Sequence, residues 1–345
     1  MKLLIPANRL KFLPKEVHLA HQYCFFLHDE FARMLVEYEA QKAHLVSVKL
    51  SSAKERRKFE KTAKGDNAIA AMLELGFHAE AKRVMLNTIT MAMVSDCAHH
   101  IYEALSCFEK RKAVPAFNLL RKPLVDSLTY LSWMVANEDE FYTEFTSGDP
   151  IKITQKKIGN RRREIFNAAI KKTELADVIN IDNIVSDIFD PGKGDGIYRY
   201  LQHAVHLVTV ERIEIKTSPE NFNFIFKHPF DDDVYEVLYS VLPAILLYMT
   251  HTIMTLYERV KPMDPGAKEA LVFRTTNAYR FLCHDKGPAL LADIMGRELS
   301  PRFKCGVCDT SLYVTEYNVT RLLLTDSFRC TKCRRLQPFP FSYMF

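Results

Sequence analysis

Two Cys-x2-Cys pairs, Cys305 with Cys308 and Cys330 with Cys333, constrain this chain more than any other feature. Each pair folds as a tight knuckle that aims two thiolates at one point, and two knuckles complete the tetrahedral four-sulfur set preferred by zinc. Gly306, Lys332 and the surrounding arginines give the pairs a polar, turn-like setting, unlike that of core cysteines or a redox dithiol. The spacing predicts one structural Zn2+ per chain, with no open position for catalysis because four thiolates fill the coordination sphere. The 21 residues between the pairs (309–329) contain Leu312-Tyr313-Val314-Thr315 and Val319-Thr320-Arg321-Leu322-Leu323-Leu324, which read as the strands of a small ribbon hairpin. The expected division is a zinc ribbon over 301–345 after a body over 1–300, with a joint near 261–266 where Pro262 and Pro265 stand.

The other four cysteines, Cys24, Cys97, Cys107 and Cys283, are scattered through apolar surroundings and read as reduced, buried thiols. A chain of 345 residues that is 48% hydrophobic fills a real core and is not disordered. Its first fourteen residues interrupt their apolar character with Lys2, Pro6, Arg9 and Lys11, unlike a secretory signal, so the expected location is cytoplasmic.

The body has the period of an all-α protein. Over 15–48, Leu19, Tyr23, Phe26, Phe31, Met34, Leu35 and Tyr38 recur at helical spacing after Pro14. Residues 51–66 are highly charged and predict an exposed helix or a mobile connection. Helical patterning returns over 67–137, with a break near Lys112, a new start at Val114-Pro115 and a kink at Pro123. Pro191 to Gly196 reads PGKGDG, but lacks the preceding strand and the Gly-Lys-Ser/Thr ending of a phosphate-cradling loop, so it predicts a turn into a helix from Ile197 to about Val210. Alternation over 211–230 predicts a small hairpin. Val237 to Tyr257 has no formal charge for 21 residues, enough to span a bilayer. Pro243 and several Ser, Thr and His residues dilute it, so it reads as a central buried helix with no membrane partner. One or two more helices follow over 267–296.

The net charge of +5 is concentrated: residues 301–345 hold seven Lys/Arg against three acids, a balance of +4. Arg334 and Arg335, beside the second knuckle, are candidate phosphate contacts for RNA or DNA. Residues 150–172 carry eight Lys/Arg against Glu164 alone, including the candidate nucleic-acid contacts Arg161, Arg162 and Arg163; a solvated helix face explains the same run.

A second constellation lies in Tyr198-Arg199-Tyr200-Leu201-Gln202-His203-Ala204-Val205-His206. On a helix, Arg199, His203 and His206 share one stripe, about 10 Å long. An arginine fork stabilises a pentavalent phosphate, and a histidine near neutral pKa moves the proton of a ribose 2′-hydroxyl. The bland alternative is that these side chains satisfy carboxylates such as Asp126 or Glu103, or hold a phosphate without catalysis.

The stretch Pro115-Ala116-Phe117-Asn118-Leu119-Leu120-Arg121-Lys122-Pro123-Leu124-Val125-Asp126, followed by the Arg199 to His206 segment, resembles an uncharacterised family of bacterial helical proteins distantly similar to HEPN domains, over about residues 85–260. The resemblance implies a HEPN-like body and an active site of Arg, four to six residues and His, completed across a homodimer. Arg199 with six residues before His206 matches that spacing, while Tyr200 stands where active members commonly carry a small polar residue. The implied function is nucleic-acid engagement by a bacterial antiviral defence or stress protein, with metal-independent endoribonuclease activity. The alternative is a non-enzymatic module whose helices bind a partner protein and whose ribbon is a docking tag.

Overall fold

A computed structural model describes residues 5–63, 67–206, 208, 217, 219, 232–283 and 287–339. The chain is mostly helical, with a two-stranded sheet near its C-terminus as the only sheet among the described residues. The hairpin expected over 211–230 lies outside the described residues.

Helix α1 (His18–Ala40) buries Tyr23, Leu27, Phe31, Met34 and Tyr38, a stripe at the i, i+4, i+3 spacing that puts side chains on one face. It ends earlier than the apolar pattern over 15–48 predicts. Lys42 takes a left-handed conformation (φ 51°) and Ala43 N donates to Tyr38 O at 2.9 Å, a closing bond that satisfies the last carbonyls and stops the helix. The charged stretch forms an exposed helix, α2 (Ala53–Thr62), capped by Ser52 and packed on α3 (Ala68–Glu74).

Helix α4 (His78–Phe108) runs back along α1 and ends where Arg111 turns left-handed, before α5 (Ala113–Arg121). At Pro123 the helix is rewound, where the sequence predicts only a kink. Lacking an N–H and crowding the preceding turn, the proline is absorbed by a π-helical stretch, Lys122–Ser127, whose wider turn is seen in the bond from Leu128 N to Pro123 O. Helices α6 (Leu128–Ala136), α7 (Glu138–Phe145), α8 (Arg162–Ile170) and α9 (Ile181–Phe189) come next. The PGKGDG segment is a turn in which Ile197 N donates to Asp187 O and Lys193 pairs with Asp187 at 2.6 Å. A Cβ on Gly196 would lie 3.0 Å from Asp187 O, a crowding that favours glycine there. Helix α10 is shorter than expected and covers Tyr198–His203.

At the centre lies α11 (Asp233–Val260), packed on α1 and α6. Among the described residues it alone is long and apolar enough to cross a membrane, and 78% of its apolar window is buried inside the molecule. Helix α12 (Pro265–Leu282) then packs beside it, and α13 (Gly287–Leu299) packs on α12. Polar bonds set the register between these apolar faces. His251 of α11 meets the Thr275 hydroxyl of α12 at 2.9 Å, and the Tyr23 hydroxyl of α1 donates to Thr275 O at 2.9 Å.

A buried polar chain ties the N-terminal segment to this core: Tyr239 of α11 meets His21 Nδ1 at 2.5 Å, His21 Nε2 lies 3.2 Å from Glu109, and Arg9 grips Glu109 bidentately at 2.6 and 2.7 Å. Burial holds the His21 imidazole below its ordinary pKa, and a neutral ring with its proton on Nε2 satisfies both neighbours. Burial pushes the Glu109 carboxyl up, but the hydrogen bonds from His21 and Arg9 outweigh it and leave Glu109 below its ordinary value.

Candidate metal centre and helical stripe

The four cysteines are brought together as the spacing predicts. Their sulfur atoms all lie within 4.8 Å of one another, with Cys305 to Cys333 at 3.6 Å and Cys308 to Cys330 at 3.7 Å. A tetrahedron of sulfurs about 2.3 Å from a central zinc has edges of about 3.8 Å, so the grouping is of the size a four-coordinate metal ion takes.

The two knuckles repeat one backbone pattern. Cys305 N donates to Thr310 O (2.8 Å) and Asp309 N to Cys305 O (2.9 Å); Cys330 N donates to Arg335 O (3.0 Å) and Arg334 N to Cys330 O (3.0 Å). In each, the residue after the second cysteine is left-handed, Asp309 at φ 52° and Arg334 at φ 63°. That conformation costs a non-glycine residue about 1–2 kcal/mol, which the paired bonds offset. Gln337 binds the first knuckle from the far strand, its Nε2 donating to Cys305 Sγ at 2.7 Å and its Oε1 accepting from Gly306 N at 3.0 Å. Burial raises the Cys305 thiol, but the backbone N–H groups of Val307 and Cys308 and the adjacent sulfurs outweigh it and hold the thiol at about 6. The backbone N–H of Arg335 lowers the Cys333 thiol, but burial and the neighbouring sulfurs push it the other way, up to about 11, so the thiols share their protons unequally in the absence of a cation.

Between the knuckles the structure departs from the expected ribbon. The run Val319 to Leu324 is not a strand but part of helix α14 (Glu316–Thr325), which starts where the Thr315 side chain accepts from Asn318 N at 3.2 Å. Val319, Leu322 and Leu323 fall at i, i+3, i+4 and are fully buried, with α14 packed against α12 and α13. The hairpin is formed instead by β1 (Ser327–Arg329) and β2 (Leu336–Pro338), antiparallel strands flanking the second knuckle. Beside the first knuckle, Lys304 and Ser311 form a single antiparallel bridge.

Two side chains that sequence patterns did not single out hold this region. Asn318, 1% exposed, donates from Nδ2 to Tyr313 O and Arg329 O, both at 3.1 Å, and accepts from Arg329 N at 2.9 Å. It thereby joins the arm after the first knuckle to the arm before the second. Arg274 of α12 donates from Nε to Leu323 O at 2.7 Å, pairs with Asp326 at 2.6 Å and with Glu30 of α1 at 3.4 Å, and lies over Phe26. The apolar core is continuous from the body into the four-cysteine region. The only sequence hint of Asn318 was its place one turn inside a helix capped by Thr315.

The basic side chains divide into two kinds. Arg161 pairs with Glu140 at 2.8 Å and lies over Trp133; Arg163 pairs with Asp182 at 3.1 Å; Arg162 is half-buried against Phe189 and Gln155. Of the run over 150–172, Lys152, Arg161 and Arg163 are thus paired with carboxylates. Around the second knuckle, by contrast, Arg329, Lys332, Arg334 and Arg335 are exposed or half-exposed, and none pairs with a described carboxylate. Arg329 spends its Nε on Arg334 O at 3.1 Å. Val307, Tyr313 and Leu336 are large exposed apolar groups of the same region.

The helical stripe is only partly formed. Arg199 donates from Nη2 to the Tyr200 hydroxyl at 2.7 Å, and Tyr200 stacks on Phe117 of α5 with ring centroids 5.1 Å apart. No described carboxylate pairs with Arg199. His203 is the last residue of α10, and His206 lies beyond it, exposed, with its backbone N–H on Gln202 O. The helical relation expected between positions 199 and 206 therefore does not continue to His206. A scan against protein-family models and searches of the curated proteins and of solved structures find no match to the chain.

Proposed function

We propose that this is a zinc-stabilised helical protein that engages nucleic acid through the exposed basic face of its second Cys knuckle. The observation that carries the reading is the set Lys332, Arg334 and Arg335, beside Cys330 and Cys333 and unpaired with any described carboxylate, with both arginines exposed. Charges already neutralised by acids gain little from a phosphate, whereas these release counterions from the nucleic acid on contact. Zinc would fix the knuckle backbone and so hold Arg334 and Arg335 in place. The measurement is binding to RNA and DNA against salt: each arginine in contact contributes about one unit to the slope of log affinity against log salt. Unchanged slope and affinity in Arg334→Ala/Arg335→Ala would remove the knuckle from the interface.

The finer reading is a metal-independent endoribonuclease of HEPN type acting as a homodimer in bacterial defence or stress. Arg199 would stabilise phosphate charge, His206 would move the 2′-hydroxyl proton and His203 would orient the stripe. Its support is the residue spacing and the anchoring of Arg199 by Tyr200. It expects a 2′,3′-cyclic phosphate product in excess chelator, with turnover abolished in His206→Ala. A competing reading, protein docking at the ribbon, draws support from exposed Val307, Tyr313 and Leu336, and predicts binding that resists salt.

A further inference from the structure

Two chain segments meet beside the second knuckle and expose side chains of different kinds. In the arm after the first knuckle, Leu312 and Val314 are buried while Tyr313 between them is 66% exposed. In the arm before the second, Phe328 and Cys330 are buried while Arg329 between them is exposed. The alternation turns Tyr313 and Arg329 away from the core. Asn318 clamps the two segments side by side, its Nδ2 donating to Tyr313 O and to Arg329 O, each at 3.1 Å. Arg329 donates from Nε to Arg334 O at 3.1 Å and pairs across the hairpin with Leu336, which is exposed beside it. The next residue, Cys330, donates from its backbone N to Arg335 O at 3.0 Å. On the other side of the hairpin Gln337 holds Gly306 N, next to exposed Val307. These bonds tie Tyr313, Leu336 and Val307 into one surface with Arg329, Arg334 and Arg335. The Tyr313 ring makes no ring or cation contact with a described residue.

We propose that this face binds single-stranded nucleic acid, a proposal that rests on the knuckle being a nucleic-acid interface and names the form it takes. A base stacks on the Tyr313 ring, and the flanking phosphates are held by Arg329, Arg334 and Arg335. Charge alone suits any phosphate backbone. A duplex keeps its base faces stacked on one another, whereas an unpaired base offers a π-face to an exposed ring. Tyrosine is suited to the task because its large ring turns about only two side-chain bonds and so loses little freedom on stacking. Asn318 fixes the backbone at Tyr313 against that at Arg329, so the stacking group and the nearest phosphate contact keep a constant separation. A protein partner would have to set acids against Arg329, Lys332, Arg334 and Arg335 beside an apolar patch; a single strand supplies an anion and a flat apolar group in every nucleotide.

The test is fluorescence anisotropy of the zinc-loaded full chain with probes of about twelve nucleotides: single strands of uridylate and of thymidylate, an abasic strand with the same phosphates, and a duplex. Wild type binds a base-bearing strand more tightly than the abasic strand or the duplex. Tyr313→Ala weakens that complex about five- to a hundred-fold, the loss of one stacked base, and leaves the salt slope unchanged because no charge is removed. On the abasic strand Tyr313→Ala and wild type bind alike. Tyr313→Phe keeps the ring and binds as wild type does, whereas Tyr313→Leu keeps apolar surface without a π-face and falls with alanine. Zinc content and melting of these variants stay those of wild type, since the side chain lies largely in solvent. Duplex bound as tightly as the strands, or strand binding that Tyr313→Ala leaves unaltered, overturns the proposal. So does Tyr313→Leu binding as well as Tyr313→Phe, which would assign the face to general apolar contact of the kind a protein partner makes. In each of these cases a lowered salt slope in Arg334→Ala/Arg335→Ala leaves the knuckle reading standing, so the two fail separately.

Discussion

Replacing Asn318 with alanine isolates what joins the two knuckles. The substitution removes three hydrogen bonds, two donated to Tyr313 O and Arg329 O and one accepted from Arg329 N. At a net contribution of about 1 kcal/mol each, the loss is about 3 kcal/mol, and it falls on the state in which both arms are held together. Zinc binding in such modules is worth about 10–16 kcal/mol, so the variant still loads metal, with an affinity lowered about a hundred-fold. Competition with a chromogenic chelator reads this directly, and thermal melts of the loaded protein report the body separately. Asn318→Asp should fare worse than alanine, because it sets a second carboxylate oxygen against two carbonyls. Zinc affinity equal to wild type in Asn318→Ala would refute the idea that this side chain couples the arms.

Arg274→Ala leaves Asp326 without its cation, while Glu30 keeps Arg33, and with the lost bond to Leu323 O should cost about 3 kcal/mol. Melting should fall by about 4 °C for a chain of this size. Purified, reduced protein should contain one zinc per chain by elemental analysis, lost in Cys305→Ser and Cys330→Ser; a folded preparation without metal would count against the site. Acid should destabilise the fold through the buried chain at His21. His21 lies below its ordinary 6.5 and Glu109 below its ordinary 4.5, so both contribute stability above those values and lose it as pH falls through their folded values. Melts from pH 7 to pH 3 should show a falling Tm, with a shallower fall below pH 4.5 in Glu109→Gln; identical slopes there would dismiss Glu109 as a contributor.

The four-cysteine cluster was legible because two short Cys-x2-Cys pairs carry their spacing in the sequence and leave little freedom. The buried helix over 233–260 and the break at Lys112 were legible for a similar reason: uncharged length and a local turn carry their own signal. Helix α14 was misread because Val319 and Thr320 are β-branched and sit against three leucines, so the run looks like a strand until Thr315 is recognised as a cap. The neutralisation of Arg161 and Arg163 depends on Glu140 and Asp182, acids roughly twenty residues away whose proximity only the tertiary fold creates. Arg274 is a stronger case, since its partners Glu30 and Asp326 lie near opposite ends of the chain. For the arginines the missing information was long-range contact; for α14 it was the local cap.

Because α14 buries Val319, Leu322 and Leu323 against α12 and α13, the boundary of cooperative unfolding need not coincide with the boundary of the metal module. On removal of zinc, amides of α14 should retain slow hydrogen exchange close to that of the body, while those of Gly306 to Asp309 and Thr331 to Arg334 exchange fast. The cysteine knuckles would then be two separately opening flaps hinged on a helix that stays docked, and a chelator would expose the metal ligands while leaving the helical core intact.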